Sequence, residues 1–223
     1  MIDGCASTPA GSRRDSPITR PSAEYVLMTH GHFDHVGGAV KLRPLLPNAK
    51  FVMTQTGWNE AAESAKESEA TPRPWSMIPQ NVVTKDGDAI SLGDNTFRVL
   101  ETPGHTLGTV SYTFDVKDGS NTYRAITIGG LGLNAIKDSN QVNSYIASVD
   151  RISALVKLTN KPVTVHLTTH PFSNGLTEAR DRLATRKPGE INPLVDPDGL
   201  LKQLASLRAS AEQRLEAERE AGR

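Results

Sequence analysis

Four metal-ligating side chains fall within six consecutive positions of this 223-residue chain: His30, His32, Asp34 and His35, in the stretch THGHFDHVGG from Thr29 to Gly38. Imidazole and carboxylate are the usual ligands of zinc and similar divalent ions. Neutral imidazoles crowded this closely would bury ring nitrogens with no partner, and a metal ion satisfies them together. Two further histidines stand in comparable places. His105 lies in TPGHT (102–106), just beyond a predicted strand, and His170 follows the predicted strand Pro162–Thr169 and precedes Pro171. All five sit at or just past strand ends, where layered α/β folds gather their sites. The sixth histidine, His166, falls inside a strand. It reads as a core residue or as one that orients a ligand.

The elements that must position these residues follow from periodicity. Glu24–Thr29 reads as a strand running into the histidine loop, and Val36, Ala39, Val40 and Leu45–Leu46 as a short helix stopping before Pro47. Lys50–Thr54 reads as a strand and Gly57–Ser68 as a helix with Thr56 as its cap. Glu69–Gln80, with three prolines, is an ordered loop. Strands are expected at Asn81–Thr84, Ala89–Leu92 and Thr96–Thr102, then a hairpin of Thr109–Val116 and Thr122–Ile128. Val142, Ile146, Val149, Ile152 and Val156 recur at three- and four-residue steps, the mark of an amphipathic helix on a sheet. Leu176–Leu183 is helical, and Leu200, Leu204, Leu207, Ala211 and Leu215 mark a last helix whose mixed-charge tail reads as solvated. Residues 1–23 form an irregular or disordered N-terminal segment and 24–223 a single α+β domain.

Bulk composition narrows the function. Lys+Arg and Asp+Glu are both 25, which argues against nucleic acid as a partner. No apolar run approaches the roughly 20 residues needed to cross a membrane, and no basic-then-apolar leader opens the chain. Cys5 is the single cysteine, so a disulfide within the chain and a cysteine metal cluster are both excluded. No GxSxG elbow, GxxxxGK[ST] loop or GxGxxG after a strand is present. Gly129-Gly130-Leu131-Gly132 is glycine-rich, which fits close backbone approach beside the histidines better than phosphate binding.

THGHFDHVGG followed by TPGHT resembles the signature of the metallo-β-lactamase superfamily, and the resemblance runs from Glu24 to the last helix. It implies an αβ/βα sandwich with two metals at one edge. Most branches place a bridging aspartate after the strand matching Arg124–Gly130. Here the stretch reads RAITIGGLGLN, without one, as in the third metallo-β-lactamase subclass. That resemblance implies two Zn2+ ions, the first on His30, His32 and His105 and the second on Asp34, His35 and His170. Asp34 would also orient the attacking hydroxide and pass a proton. Trp75 and Met77, in the loop Thr71–Ile78, would wall the pocket, as would Gly130.

The activity implied by the resemblance is a zinc-dependent, β-lactamase-like hydrolase opening a cyclic amide, with a small-molecule substrate as its partner. A lactonase or thioesterase on the same site, or an inactive metal-binding relative, are the alternatives. Gly130 and Gly132 stand where that subclass carries hydroxyl residues contacting water and a β-lactam carboxylate, which weighs toward the alternatives. Met1-Ile2-Asp3-Gly4 resembles the end of a family strand reading LIDTG. The expectation is therefore a domain shortened at its N-terminus, with a secreted or periplasmic full-length form in view. The sequence leaves localisation and oligomeric state open.

Overall fold

The structure, a computed structural model, describes residues 23–221. The expectations about Cys5, the irregular start and the shortened N-terminus fall outside those residues. The described residues build two sheets, each covered on its outer face by helices, in the order helix, sheet, sheet, helix. The α+β sandwich expected from the resemblance is what forms.

The first sheet holds β1 (Tyr25–Leu27), β2 (Lys50–Thr54) and β3 (Val82–Thr84), all parallel. Alternation along its strands sorts the side chains. Val26, Met28, Phe51 and Met53 face the helical side, packing with Val36, Ala39, Trp58 and Ala61. Leu27 and Val52 face the second sheet. The helices on this side are two single turns, α1 (Phe33–Val36) and α2 (Ala39–Leu42), and the longer α3 (Gln55–Ser68). Pro44 explains why α2 ends at Leu42 rather than reaching Leu46: Arg43 before it still has helical backbone angles, but the proline has no N–H to continue the ladder. The cap of α3 is Thr54, not Thr56: its Oγ1 accepts the Gly57 N–H at 3.0 Å, a contact worth about 1 kcal/mol.

The second sheet runs in spatial order β4 (Ala89–Leu92), β5 (Asn95–Glu101), β6 (Val110–Asp118), β7 (Asn121–Thr127) and β8 (Val163–His166). The first four are antiparallel neighbours, and β8 lies parallel to β7. The β6–β7 hairpin closes on two residues, Gly119 and Ser120, so both strands run further into the turn than their hydrophobic alternation suggested. A crossover helix, α4 (Ser139–Val156), joins β7 to β8. Its N-cap Asp138 accepts the Gln141 N–H at 2.9 Å. Val142, Tyr145, Val149, Ile152 and Val156 are buried against Ile126, Ile128 and Val163 of the sheet, and against Leu200, Leu204, Ala211 and Leu215 of the last helix. Burying each large aliphatic side chain there contributes about 2 kcal/mol. The chain ends in α5 (Leu176–Ala184) and α6 (Pro197–Ala221), the latter opening on a proline suited to the first helical turn.

Strand β8 stops at His166, three residues short of the expected end. Thr168 Oγ1 accepts the His170 N–H at 3.2 Å and meets Ser173 Oγ at 2.9 Å, so the chain bonds to itself instead of to β7. This places His170 in a loop. The C-terminal ends of β1, β5, β7 and β8 thus converge on one edge of the sandwich, where the Val110 N–H donates to the Thr29 carbonyl and stitches the two sheets together.

Candidate metal centre

The structure brings His30, His32 and His105 together from two strand ends 73 residues apart. His30 Nε2 and His105 Nε2 each stand 3.1 Å from His32 Nδ1. Nitrogens bound at about 2.05 Å to one tetrahedral zinc would stand roughly 3.3 Å apart, so the cluster has the right size for a shared ion. Its protonation pattern fits as well. His105 Nδ1 lies 2.7 Å from the Gly132 carbonyl, which can only accept, so Nδ1 carries the hydrogen and Nε2 is bare. The backbone of Gly129 hydrogen-bonds His30, whose Nδ1 also lies 3.1 Å from Thr29 Oγ1. A proton on His32 Nδ1 could satisfy only one of its two neighbours, whereas a cation satisfies all three nitrogens.

Electrostatics keep these rings neutral. Burial is the largest cause of the lowered pKa of His30, followed by repulsion from His35, His105 and His32. Burial also lowers His32, with Asp34 pulling it back up and His35 adding to the depression. His105 is lowered by burial and partly restored by its bond to Gly132. Neutral imidazole is the form that binds a metal.

A second group, Asp34, His35 and His170, lies beside the first. Asp34 Oδ2 stands 3.4 Å from His35 Nε2 and 3.7 Å from His170 Nε2. The single turn of α1 places Asp34 and His35. His170 comes from the loop after β8, where its carbonyl accepts the Ser173 N–H at 2.8 Å. Thr29 Oγ1 also approaches His35 Nδ1, at 3.4 Å, so one hydroxyl touches a ring of each group. Both groups open into one cavity of about 490 Å3, whose other walls are residues 129–132, Asn134, Thr169, Ser173, Gln203 and Leu207.

Gly130 lines this cavity, and its lack of a side chain is enforced. A Cβ there would stand 2.6 Å from three carbons of His105. The hydroxyl-bearing residue that the resemblance would place here has no room beside His105. The Thr71–Ile78 loop turns elsewhere. Trp75 N–H donates to Ser68 Oγ at 2.9 Å, tying the loop to the end of α3, and the Trp75 ring packs on Phe33 with 5.5 Å between centroids. Trp75 and Met77 line a separate depression along α3, with Trp58 and Lys66, and are not walls of the histidine cavity. His166 also sits apart. Its Nδ1 accepts from Asn174 Nδ2 at 3.1 Å, and burial pushes its pKa down to about 4. The groups that do orient the histidines are Thr29 and the Gly132 carbonyl. Thr29 could have been read from its place beside His30, but a backbone carbonyl 27 residues from His105 leaves no signal in sequence.

Helix α3 steadies both ends of the first group. Glu60 Oε1 accepts the N–H groups of Leu107 and Gly108, at 2.9 and 3.1 Å, just after His105. Gly31, between His30 and His32, packs so tightly that a Cβ there would stand 2.6 Å from the Ala61 nitrogen.

Comparison with known proteins agrees with the fold. Residues 18–118 match the family model of the metallo-beta-lactamase superfamily. The hydroxyacylglutathione hydrolase of Rhodopseudomonas palustris is 35% identical over 111 residues, 50% of this chain and 36% of that protein. The protein of the same name from Francisella tularensis subsp. novicida is 30% identical over 139 residues, 60% of this chain and 47% of its own length. The chain thus spans between a third and a half of these curated relatives. Among solved structures, BJP-1, a subclass B3 metallo-beta-lactamase of Bradyrhizobium japonicum, superposes with a TM-score of 0.74 at 23% identity, covering 90% of this chain and 75% of that one. FEZ-1 metallo-beta-lactamase from Legionella gormanii gives 0.75 at 21% identity, covering 87% and 74%. The family model thus matches the part of the chain that holds the histidine motif and His105, and the two lactamase structures share the sandwich fold with the chain.

Proposed function

We propose that this protein is a zinc-dependent hydrolase that opens a strained or activated carbonyl of a small molecule, with a cyclic amide as the first candidate. The observation that carries the reading is the pair of three-ligand groups facing one cavity, each of a size to hold a divalent ion. Two ions there would supply Lewis acidity and a water of lowered pKa. The chain's own residues supply the rest. His30, His32 and His105 present neutral nitrogens, and the Gly132 carbonyl fixes the His105 ring in the tautomer that leaves Nε2 free. Asp34 is the only acid among the described residues lining the cavity, and its carboxylate is 59% exposed. It is the group assigned to orient the attacking water and take its proton. No protein nucleophile is required.

A second substrate reading, a thioester or lactone, draws support from two observations. Gly130 offers no hydroxyl to a substrate carboxylate, and the curated relatives carry the name hydroxyacylglutathione hydrolase. Zinc-loaded protein offered nitrocefin, an acyl-homoserine lactone and an acylglutathione thioester separates the readings. Turnover of nitrocefin alone supports the cyclic amide, and turnover of only the thioester or lactone moves the assignment there. No turnover of any of the three by protein holding two zinc ions refutes the hydrolase reading.

A further inference from the structure

The loop from Gly129 to Ile136 forms one wall of the cavity and has few internal restraints. Three of its eight residues are glycines, and their conformational freedom would blur the position of the Gly132 carbonyl. Yet its carbonyls are held one after another by side chains from other elements. Tyr145 Oη donates to the Leu131 carbonyl at 2.6 Å, and His105 Nδ1 to that of Gly132 at 2.7 Å. Arg214 Nη1 donates to the Leu133 carbonyl at 2.9 Å, and Arg214 Nη2 to that of Ile136 at 2.8 Å. The Arg214 fork is aimed by Glu218, whose Oε1 accepts from Arg214 Nε at 2.8 Å and whose Oε2 accepts from Ser139 Oγ at 2.5 Å. Arg214 and Glu218 lie in the charged last stretch of α6, whose sequence reads as a solvated tail. Each side chain is nonetheless only 29% exposed.

We infer that Arg214 is a positioning residue for the first metal group. It fixes the loop whose Gly132 carbonyl holds His105 in its ligand tautomer and orientation. A planar guanidinium can span two carbonyls and a carboxylate at once, whereas a lysine ammonium acts as a single point. The partner of a ligand's second nitrogen sets that ligand's basicity and direction, and losing such a partner typically weakens metal binding by about 10- to 100-fold. The inference rests on the metal reading above, and its test keeps the two apart.

The experiment uses the full chain. Zinc affinities of both sites are measured by chelator competition for the parent, Arg214→Met, Arg214→Lys and Glu218→Gln. Exchange of the His105 Nδ1 proton with solvent is followed by nitrogen-15 NMR with and without zinc. Arg214→Met should weaken one zinc by about 10- to 100-fold, change the other by less than about threefold, and speed exchange of the His105 proton. Arg214→Lys and Glu218→Gln should fall between it and the parent. The inference is overturned by a folded Arg214→Met with both affinities and the proton exchange unchanged, or by equal weakening of both sites. If Arg214→Met does not fold, Glu218→Gln and Arg214→Lys decide by the same measures. A parent that binds no zinc defeats the metal reading, and the exchange of the His105 proton in metal-free protein still decides the role of Arg214.

Discussion

The two ligand groups share a cavity but are built differently. His30, His32 and His105 are held from behind by Thr29, the Gly132 carbonyl and α3, and their facing nitrogens sit at 3.1 Å. Asp34, His35 and His170 are spaced at 3.4 and 3.7 Å, and the Asp34 and His170 side chains are 59% and 45% exposed. The first group is preorganised by packing, and the second stands open at the mouth. A site whose ligands are buried and oriented before the ion arrives loses little entropy on binding, while an open one keeps room for substrate. The expectation is one tight metal tied to the fold and one weaker metal tied to turnover.

The largest effect should come from removing metal altogether. Zinc at about a thousandfold its dissociation constant stabilises a folded protein by about 4 kcal/mol, or roughly 10 °C in Tm for a chain of this size. Chelation should therefore lower the calorimetric Tm by about that much. His105→Ala should remove most of the zinc-dependent part. If His105→Ala and the parent respond equally to zinc, the first group is not the tight one.

Acid should act next, and chiefly on the buried imidazoles. His30, His32, His105 and His166 all have lowered pKa values because burial disfavours their charged form. Below about pH 6.5 the unfolded chain takes up protons that the folded chain refuses. Stability is thus full above pH 6.5 and falls as the pH drops. For His166 the loss runs from pH 6.5 to about 4, worth about 3 kcal/mol at its end. Urea midpoints of metal-free protein at pH 7.5, 5.5 and 4.5 should decline accordingly, and His166→Gln should flatten part of the decline. A midpoint that holds constant down to pH 4.5 would contradict the burial argument.

Gly130→Ser probes how tightly the first group is packed. The new Cβ would press on the His105 ring, an overpacking that costs about 1–3 kcal/mol. It should shift the urea midpoint down and weaken the first zinc while leaving the second in place. A serine accepted without loss of either would mean that the loop gives way, and that the wall beside His105 is softer than its tethers imply.

How much of this was legible in the sequence divides along the same line. Which side chains gather at the cavity was legible because histidine spacing and strand ends are local, and Lys50–Thr54 was readable to the residue because its short apolar run suits a central parallel strand buried on both faces. The wall was not. Trp75 and Met77 were expected over the cavity, but Ser68 turns their loop along α3. Arg214 was read as part of a solvated tail, since its partners are carbonyls about 80 residues away and any residue type can supply a carbonyl. Thr54 displaced Thr56 as cap because β2 runs directly into α3, leaving no linker between them.

The smallest effect on the fold, and the sharpest on the comparison, belongs to His170→Ala. His170 sits in a loop with its side chain 45% exposed, and its main-chain bonds to Thr168 and Ser173 do not need the imidazole. Such a surface substitution should change stability by no more than about 0.5 kcal/mol. Metal content should nonetheless fall to about one zinc per chain, because Asp34 and His35 alone leave the second ion two protein ligands where catalytic zinc sites use three. Turnover should fall far more than substrate affinity, since the first group and the cavity walls stay in place. Two zinc ions retained per chain would show that the second group is closed by another residue. A collapse of both sites would show that the two groups form one cooperative cluster, and the contrast between a packed site and an open one would not stand.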